Sequence, residues 1–211
     1  SSGTVAAERV SFLNNTVEGS DTQRFGGAIF NRNGALALVD VKMEANRAGS
    51  GAALASFHGT VSLSSSGFEN TGNTGITNLV LDNHSEETAA IYVEGGSLYL
   101  EGVGISGNVA SEGCGAVFAG NSEVTVLNAS IVRNTGVLGG GFCLSGGTFA
   151  AANTQISRNF SAGEGGGLWI LGTNNVSLVN MTVAGNSTGV WSDSDLYIAN
   201  SIIALNSSND L

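Results

Sequence analysis

The stretch Gly166–Ser187, GGLWILGTNNVSLVNMTVAGNS, decides the fold. It holds a glycine pair, an apolar run, a turn, a second apolar run, and then two asparagines six residues apart. The rest of the chain repeats that pattern. Aligning on the last asparagine of each unit gives Asn15, Asn46, Asn108, Asn134, Asn159, Asn186 and Asn206. Each follows an apolar residue three places earlier: Phe12, Met43, Ile105, Ile131, Ile156, Val183 and Ile203. Between Asn46 and Asn108, Phe68 keeps this register and Thr71 takes the asparagine's place, with Asn70 beside it.

The commonest period is 25 to 27 residues, the range in which stacked repeat units are expected. Within a unit, the first strand carries Ile29, Leu54, Ile91, Val117, Phe142, Leu168 and Val190 in one column. The second carries Leu36, Val61, Leu98, Val124, Phe149, Val176 and Leu196, and two residues later Leu38, Leu63, Leu100, Val126, Ala151, Leu178 and Ile198. A spacing of two puts residues on one face of a strand, and no 3.6-residue stripe argues for a helix. Three short strands per turn, each with one inward face, describe an all-β, right-handed parallel β-helix, a solenoid of about eight turns. Stacked at about 4.8 Å, those turns make a rod of roughly 35–40 Å.

A second polar column, Asp40, Ser65, Gly102, Asn128, Asn153, Asn180 and Asn200, follows the second strand. Asparagine ladders are therefore expected at two bends, each amide bonded to the next turn and buried with it. The two long spacings place excursions near 16–25 and 72–88, where insertions can leave a stack at its turns.

All 211 residues fit one domain. The net charge of −10 rests on only seven Lys and Arg, too few for a phosphate-neutralising surface, so nucleic acid is excluded as a partner. An anionic membrane surface is disfavoured for the same reason, and no apolar stretch is long enough to span a bilayer. The opening SSGTVAAERV lacks the basic and apolar regions of a signal peptide, so any signal is absent from this chain. Cys114 and Cys143 form no metal or redox motif, and a four-residue offset between their columns leaves both expected as free thiols. Neither end carries a clear cap, which suggests a segment of a longer rod or subunits stacked end to end.

The strand starts GGAIF (Gly26–Phe30), CGAVF (Cys114–Phe118), GGGFC (Gly139–Cys143) and GGGLW (Gly165–Trp169), with the endings FLNN, ISGN, IVRN and ISRN, carry a resemblance. They resemble the repeats of chlamydial polymorphic outer membrane proteins, and equally the repeat regions of bacterial cell-surface proteins in the pectin-lyase-like β-helix group. The resemblance implies a secreted protein, extracellular or at the cell surface, in the role of adhesin passenger, surface protein or filament subunit. Its partners would be further copies of itself, joined end to end or laterally, or host and cell-surface glycans and proteins.

Enzymes of that fold group cleave acidic polysaccharides with clustered aspartates, or with Ca²⁺ and a basic residue. Here His58 sits in FHGT, His84 in DNHSEE, and Lys42 is the only lysine, so no catalytic set is assembled and none is assigned. A polysaccharide lyase or hydrolase is kept as an alternative. No cofactor is expected; Ca²⁺ is the one candidate, at Asp82, Glu86 and Glu87, because hard cations take carboxylate oxygens. The row beside the first inward column, Phe30, Tyr92, Phe118, Trp169 and Trp191, alternates outward and is a candidate sugar-stacking or protein-packing surface. Arg133 and Arg158 fall in one column on adjacent turns, where like charges repel and are expected to turn into solvent or towards nearby acids; a site for a carboxylated sugar is the alternative. Eight Asn-x-Ser/Thr sequons occur. Asn83, Asn175 and Asn14 are the candidates for N-glycosylation in a eukaryotic host; the other five sit in the ladders, where they are expected to be buried.

Overall fold

The computed structural model describes residues 3–19, 24–66, 78–208 and 210–211. Its strands pair in parallel, each with the equivalent strand one turn away, as in Ile91–Val117, Val117–Phe142 and Phe142–Leu168. The result is a parallel β-solenoid. One face is made by strands such as Leu54–Phe57, Ile91–Glu94 and Leu168–Leu171, and the next by strands such as Thr60–Ser64, Ser97–Glu101 and Asn174–Val179. Two long strands, Val117–Leu127 and Phe142–Ala152, run from the first face into the second and join both into a 13-stranded sheet. The third face is an eight-stranded sheet running from Ser11–Leu13 to Ile202–Ala204.

A fourth, narrow sheet of five strands follows the ladder asparagine: Arg47–Ser50, His84–Thr88, Val109–Ala110, Thr135–Gly136 and Phe160–Ser161. The expectation of three strands per turn omits it. These strands are mostly two residues long and lack an apolar alternation, so they leave no periodic signal.

The inward columns meet in one continuous core. Ile91, Leu98 and Ile105 from a single turn are fully enclosed, and Phe142 packs against Phe149 with centroids 5.5 Å apart. Each such side chain contributes about 1.5–3 kcal/mol on leaving water.

The asparagine column three residues after the last inward residue solves the hydrogen bonding of a bend. Asn108 Nδ2 donates to the carbonyl of Val80 on the preceding turn (2.9 Å) and to Asn134 Oδ1 on the following turn (2.9 Å). Its own Oδ1 accepts from both the backbone N and Nδ2 of Asn83, each at 2.9 Å. The same pattern links Asn134, Asn159, Asn186 and Asn206, and Asn15 donates to Asn46 at the other end. At Asn206 the next acceptor is a carboxylate: Asp210 Oδ1 takes both bonds, at 3.1 and 2.8 Å.

Asn83 is a member of this ladder, bonded to Asn46 and Asn108 and 1% exposed. It is not among the ladder residues expected from the sequence, and the ladder is corrected to include it. Its inward partner three residues earlier is Val80, with no exposed surface, in the strand Asn78–Leu81. The expected excursion over 72–88 is therefore wrong for residues 78–88, which form two strands of the stack. Phe68, Asn70, Thr71 and the remainder of that excursion, like residues 20–23 of the excursion near 16–25, lie outside the described residues.

The second polar column differs from expectation too. Asn128, Asn153, Asn180 and Asn200 are exposed, with φ of 52°, 51°, 54° and 48°. Their amides still bond from turn to turn, Asn153 Nδ2 donating to Asn128 Oδ1 at 3.3 Å and Asn180 Nδ2 to Asn153 Oδ1 at 2.9 Å, but at exposed positions. Their common property is the left-handed backbone, which asparagine tolerates better than other side chains. Positive φ recurs immediately before each ladder asparagine, at Asn14, Ala45, Asp82, Gly107, Arg133, Arg158, Gly185 and Leu205.

Candidate functional site

The exterior of the first face is the most differentiated surface of the rod. Strand alternation turns Ile91 inward and Tyr92 outward, and the register Ala55–Tyr92–Phe118–Cys143–Trp169–Trp191 is held by consecutive parallel pairings. Tyr92 and Phe118 stack with centroids 5.0 Å apart and planes 16° from parallel. Trp169 and Trp191 stack at 5.4 Å and 11°. Neighbouring turns lie along the rod axis, so near-parallel rings at these distances turn their faces to one another and their edges to solvent.

Ala55 leaves a gap between Phe30 and Tyr92. Phe57, outward by the same alternation, and Phe25 fill it: Phe25 meets Phe57 edge-on at 4.8 Å and Tyr92 at 5.6 Å, and Phe57 meets Phe30 at 5.9 Å. Phe57 could have been read from the sequence by carrying the alternation two residues further. Phe25 could not, because it stands outside any strand column. Phe30 is the most exposed ring of the row, at 52%. Packing among the rings pushes the Tyr92 hydroxyl up from its ordinary pKa, and the nearby Glu94 and Glu87 carboxylates add to this.

Between Phe118 and Trp169 the row is continued by sulfur. Cys143 is disulfide-bonded to Cys114 with Cα atoms 5.9 Å apart, and the bridge is packed between those two rings. The expectation of free thiols is thus overturned. Four residues of extended strand would span about 13 Å, but the chain folds back at each strand entry. The residue four places before a row position therefore lies beside it: a Cβ on Gly139 would come within 2.6 Å of Cys143 Sγ. Cys114 occupies the equivalent of Gly139 one turn earlier, within reach of Cys143.

The residues proposed for Ca²⁺ do not converge. Glu86 accepts from Arg47 at 2.9 Å and pairs with Arg24, and these two guanidinium groups hold its carboxyl below the usual range. Glu87 accepts from Ser50 Oγ at 3.1 Å, while Asp82 is the left-handed residue before Asn83. Among the described residues no three His, Cys, Asp or Glu side chains are grouped as a metal site.

The sequons divide by burial. Asn83, Asn159 and Asn186 are enclosed in the ladder with their amide nitrogens bonded. Asn14 and Asn175 are exposed, and so are Asn128 and Asn180, contrary to the expectation that ladder residues are shielded. No family model, no curated protein and no solved structure matches the chain.

Proposed function

We propose that this chain is a non-enzymatic structural or adhesive segment of an extracellular or cell-surface protein. In this reading it is a right-handed parallel β-helix of about eight turns, of the kind the polymorphic outer membrane protein repeats resemble. The observation that carries the extracellular part is the Cys114–Cys143 bridge, set into the outer row between two turns. Structural disulfides persist in oxidising compartments and are rare where thiols are kept reduced. Support for a structural role comes from how the exterior groups are used. The row's rings face one another, Glu86 is spent on two arginines, and the Asp193 carboxylate is held below its usual pKa by the Gly172 amide and the Ser194 hydroxyl. A polysaccharide-cleaving reading would need such groups free to meet a substrate.

Thiol titration in denaturant tests the compartment, using protein isolated from its source without reductant. No free thiol is expected, and two reactive thiols overturn the extracellular assignment. Antibody labelling of intact source cells tests display; signal obtained only after permeabilisation overturns it. Release of unsaturated or reducing ends from uronic-acid polymers would overturn the non-enzymatic part.

A further inference from the structure

We infer that a groove on the third face, built around Arg133 and Arg158, binds the oxyanion of an acidic saccharide, a carboxylate or a sulfate ester. Parallel pairing of Val132 with Ser157 sets these two arginines on consecutive turns, and both are exposed. Two like charges one rung apart repel, so a fold that keeps them there gains from an anion between them. Four of the other five cations are neutralised, Arg9 by Glu8, Lys42 by Glu44, and Arg24 and Arg47 by Glu86, while Arg32 stands alone without a second cation beside it on the next turn. Among the described residues no carboxylate lies within ion-pairing distance of Arg133 or Arg158.

The backbone makes the pair more conspicuous. Both arginines sit at φ 56°, in the column that holds glycine one turn before, at Gly107, and one turn after, at Gly185. A residue with a β-carbon is strained in that conformation, and glycine would relieve it. The missing side chain at Gly185 also clears the floor of the groove, a cavity of about 400 Å³. Gln155 and Ser157 line it beside the arginines, and the exposed Leu205 forms its far wall. Gln155 Nε2 donates to Ser157 Oγ at 3.0 Å, which fixes the carboxamide and leaves its oxygen to accept and the serine proton to donate.

Two guanidinium groups suit a carboxylate or sulfate, because they offer charge-assisted hydrogen bonds in a planar fork. The neighbouring acceptor, hydroxyl and apolar wall suit the rest of a sugar ring. A polyanion is a poorer fit, since its further charges would meet a protein of net charge −10. The site names a partner class for the adhesive role without depending on it, for a purely structural rod could carry the same groove.

The test is titration of the purified chain, followed by NMR or calorimetry, with glucuronic acid, N-acetylglucosamine 6-sulfate, glucose and sodium sulfate. Saturable binding of one or both acidic sugars is expected, with none for glucose; which of them binds identifies the head group. The R133Q/R158Q variant should weaken binding about tenfold or more, as expected for loss of charge-assisted bonds. R133G/R158G, which also relieves the backbone, should do the same with its melting temperature kept. The inference is overturned if neither acidic sugar saturates, if both variants bind as the parent does, or if sodium sulfate binds as tightly as the sulfated sugar. None of these outcomes bears on the thiol titration or the surface labelling.

Discussion

The two asparagine columns share a residue type and a period, yet they do different physical work. Asn108, with no exposed surface, fills four hydrogen-bonding roles inside the bend after the third strand. Asn153, at the bend after the second strand, is exposed, and its side chain makes one solvent-exposed amide bond to each neighbouring turn, at 2.9 and 3.3 Å. The inner column exists because backbone and amide groups buried at a corner must find partners. The outer column exists because the corner needs φ near +50°, which asparagine adopts at low cost. Sequence periodicity reports that a position recurs; burial decides what the recurrence is for.

The largest effect should follow from breaking the inner column in its middle. Asn108→Ala removes the acceptor used by Asn83 N and Nδ2, and the donors serving Val80 O and Asn134 Oδ1. Several buried polar groups are then left unpaired, at about 1–3 kcal/mol each. A total loss of about 3–5 kcal/mol is expected, measured by urea denaturation. A loss below about 1 kcal/mol would mean that the ladder is a consequence of stacking and no cause of it.

The inner columns and the outward row were legible because strand alternation and a 25–27-residue period both constrain them. The turn containing Asn83 was not, although Val80 stands three residues before it as the rule requires. Phe68 and Thr71 offered a competing match that preserved the usual period. The structure instead places the extra length before Asn78, between the second and third strands of that turn. The disulfide was hidden for a related reason: counting residues along a column measures extended chain, and the fold-back at each strand entry shortens that distance. Burial of the second asparagine column was misjudged because a ladder and a left-handed bend both select asparagine. At the arginine groove, the adjacency of Arg133 and Arg158 could be read from the sequence, but the absence of a carboxylate partner among the described residues and the floor at Gly185 could not.

Smaller effects should follow at the outer column and at the end of the inner one. Asn153→Ala keeps the β-carbon in the left-handed region but loses the short polar side chain that makes this conformation tolerable, and should cost about 1 kcal/mol. That loss comes from the backbone, so removing Asn180 as well should not enlarge it through their shared hydrogen bond by more than about 0.5 kcal/mol in a double-mutant cycle. Asp210→Ala takes away the carboxylate that accepts from Asn206, but water reaches this exposed site. A cost of about 0.5–1 kcal/mol is expected, and Asp210→Asn should recover most of it because an amide oxygen can accept the same two bonds.

The smallest expected effect is the one that separates the two columns most cleanly. Asn153→Gly deletes the entire side chain, with both of its amide contacts, but leaves a residue that adopts φ +51° freely. If the outer column is selected for backbone conformation, the loss of weak exposed contacts is nearly offset by relief of the left-handed strain. Stability should then stay within about 0.5 kcal/mol of the parent. Glycine already stands in this column at Gly102, with φ 61°, and in the column before the ladder at Gly107 and Gly185. The same replacement at Asn108 gains no such relief, because the left-handed position there belongs to Gly107, and it should cost at least as much as Asn108→Ala. Equal losses at 108 and 153 would show that the outer amides also carry the stack, and the distinction between a hydrogen-bonding column and a conformational one would fail.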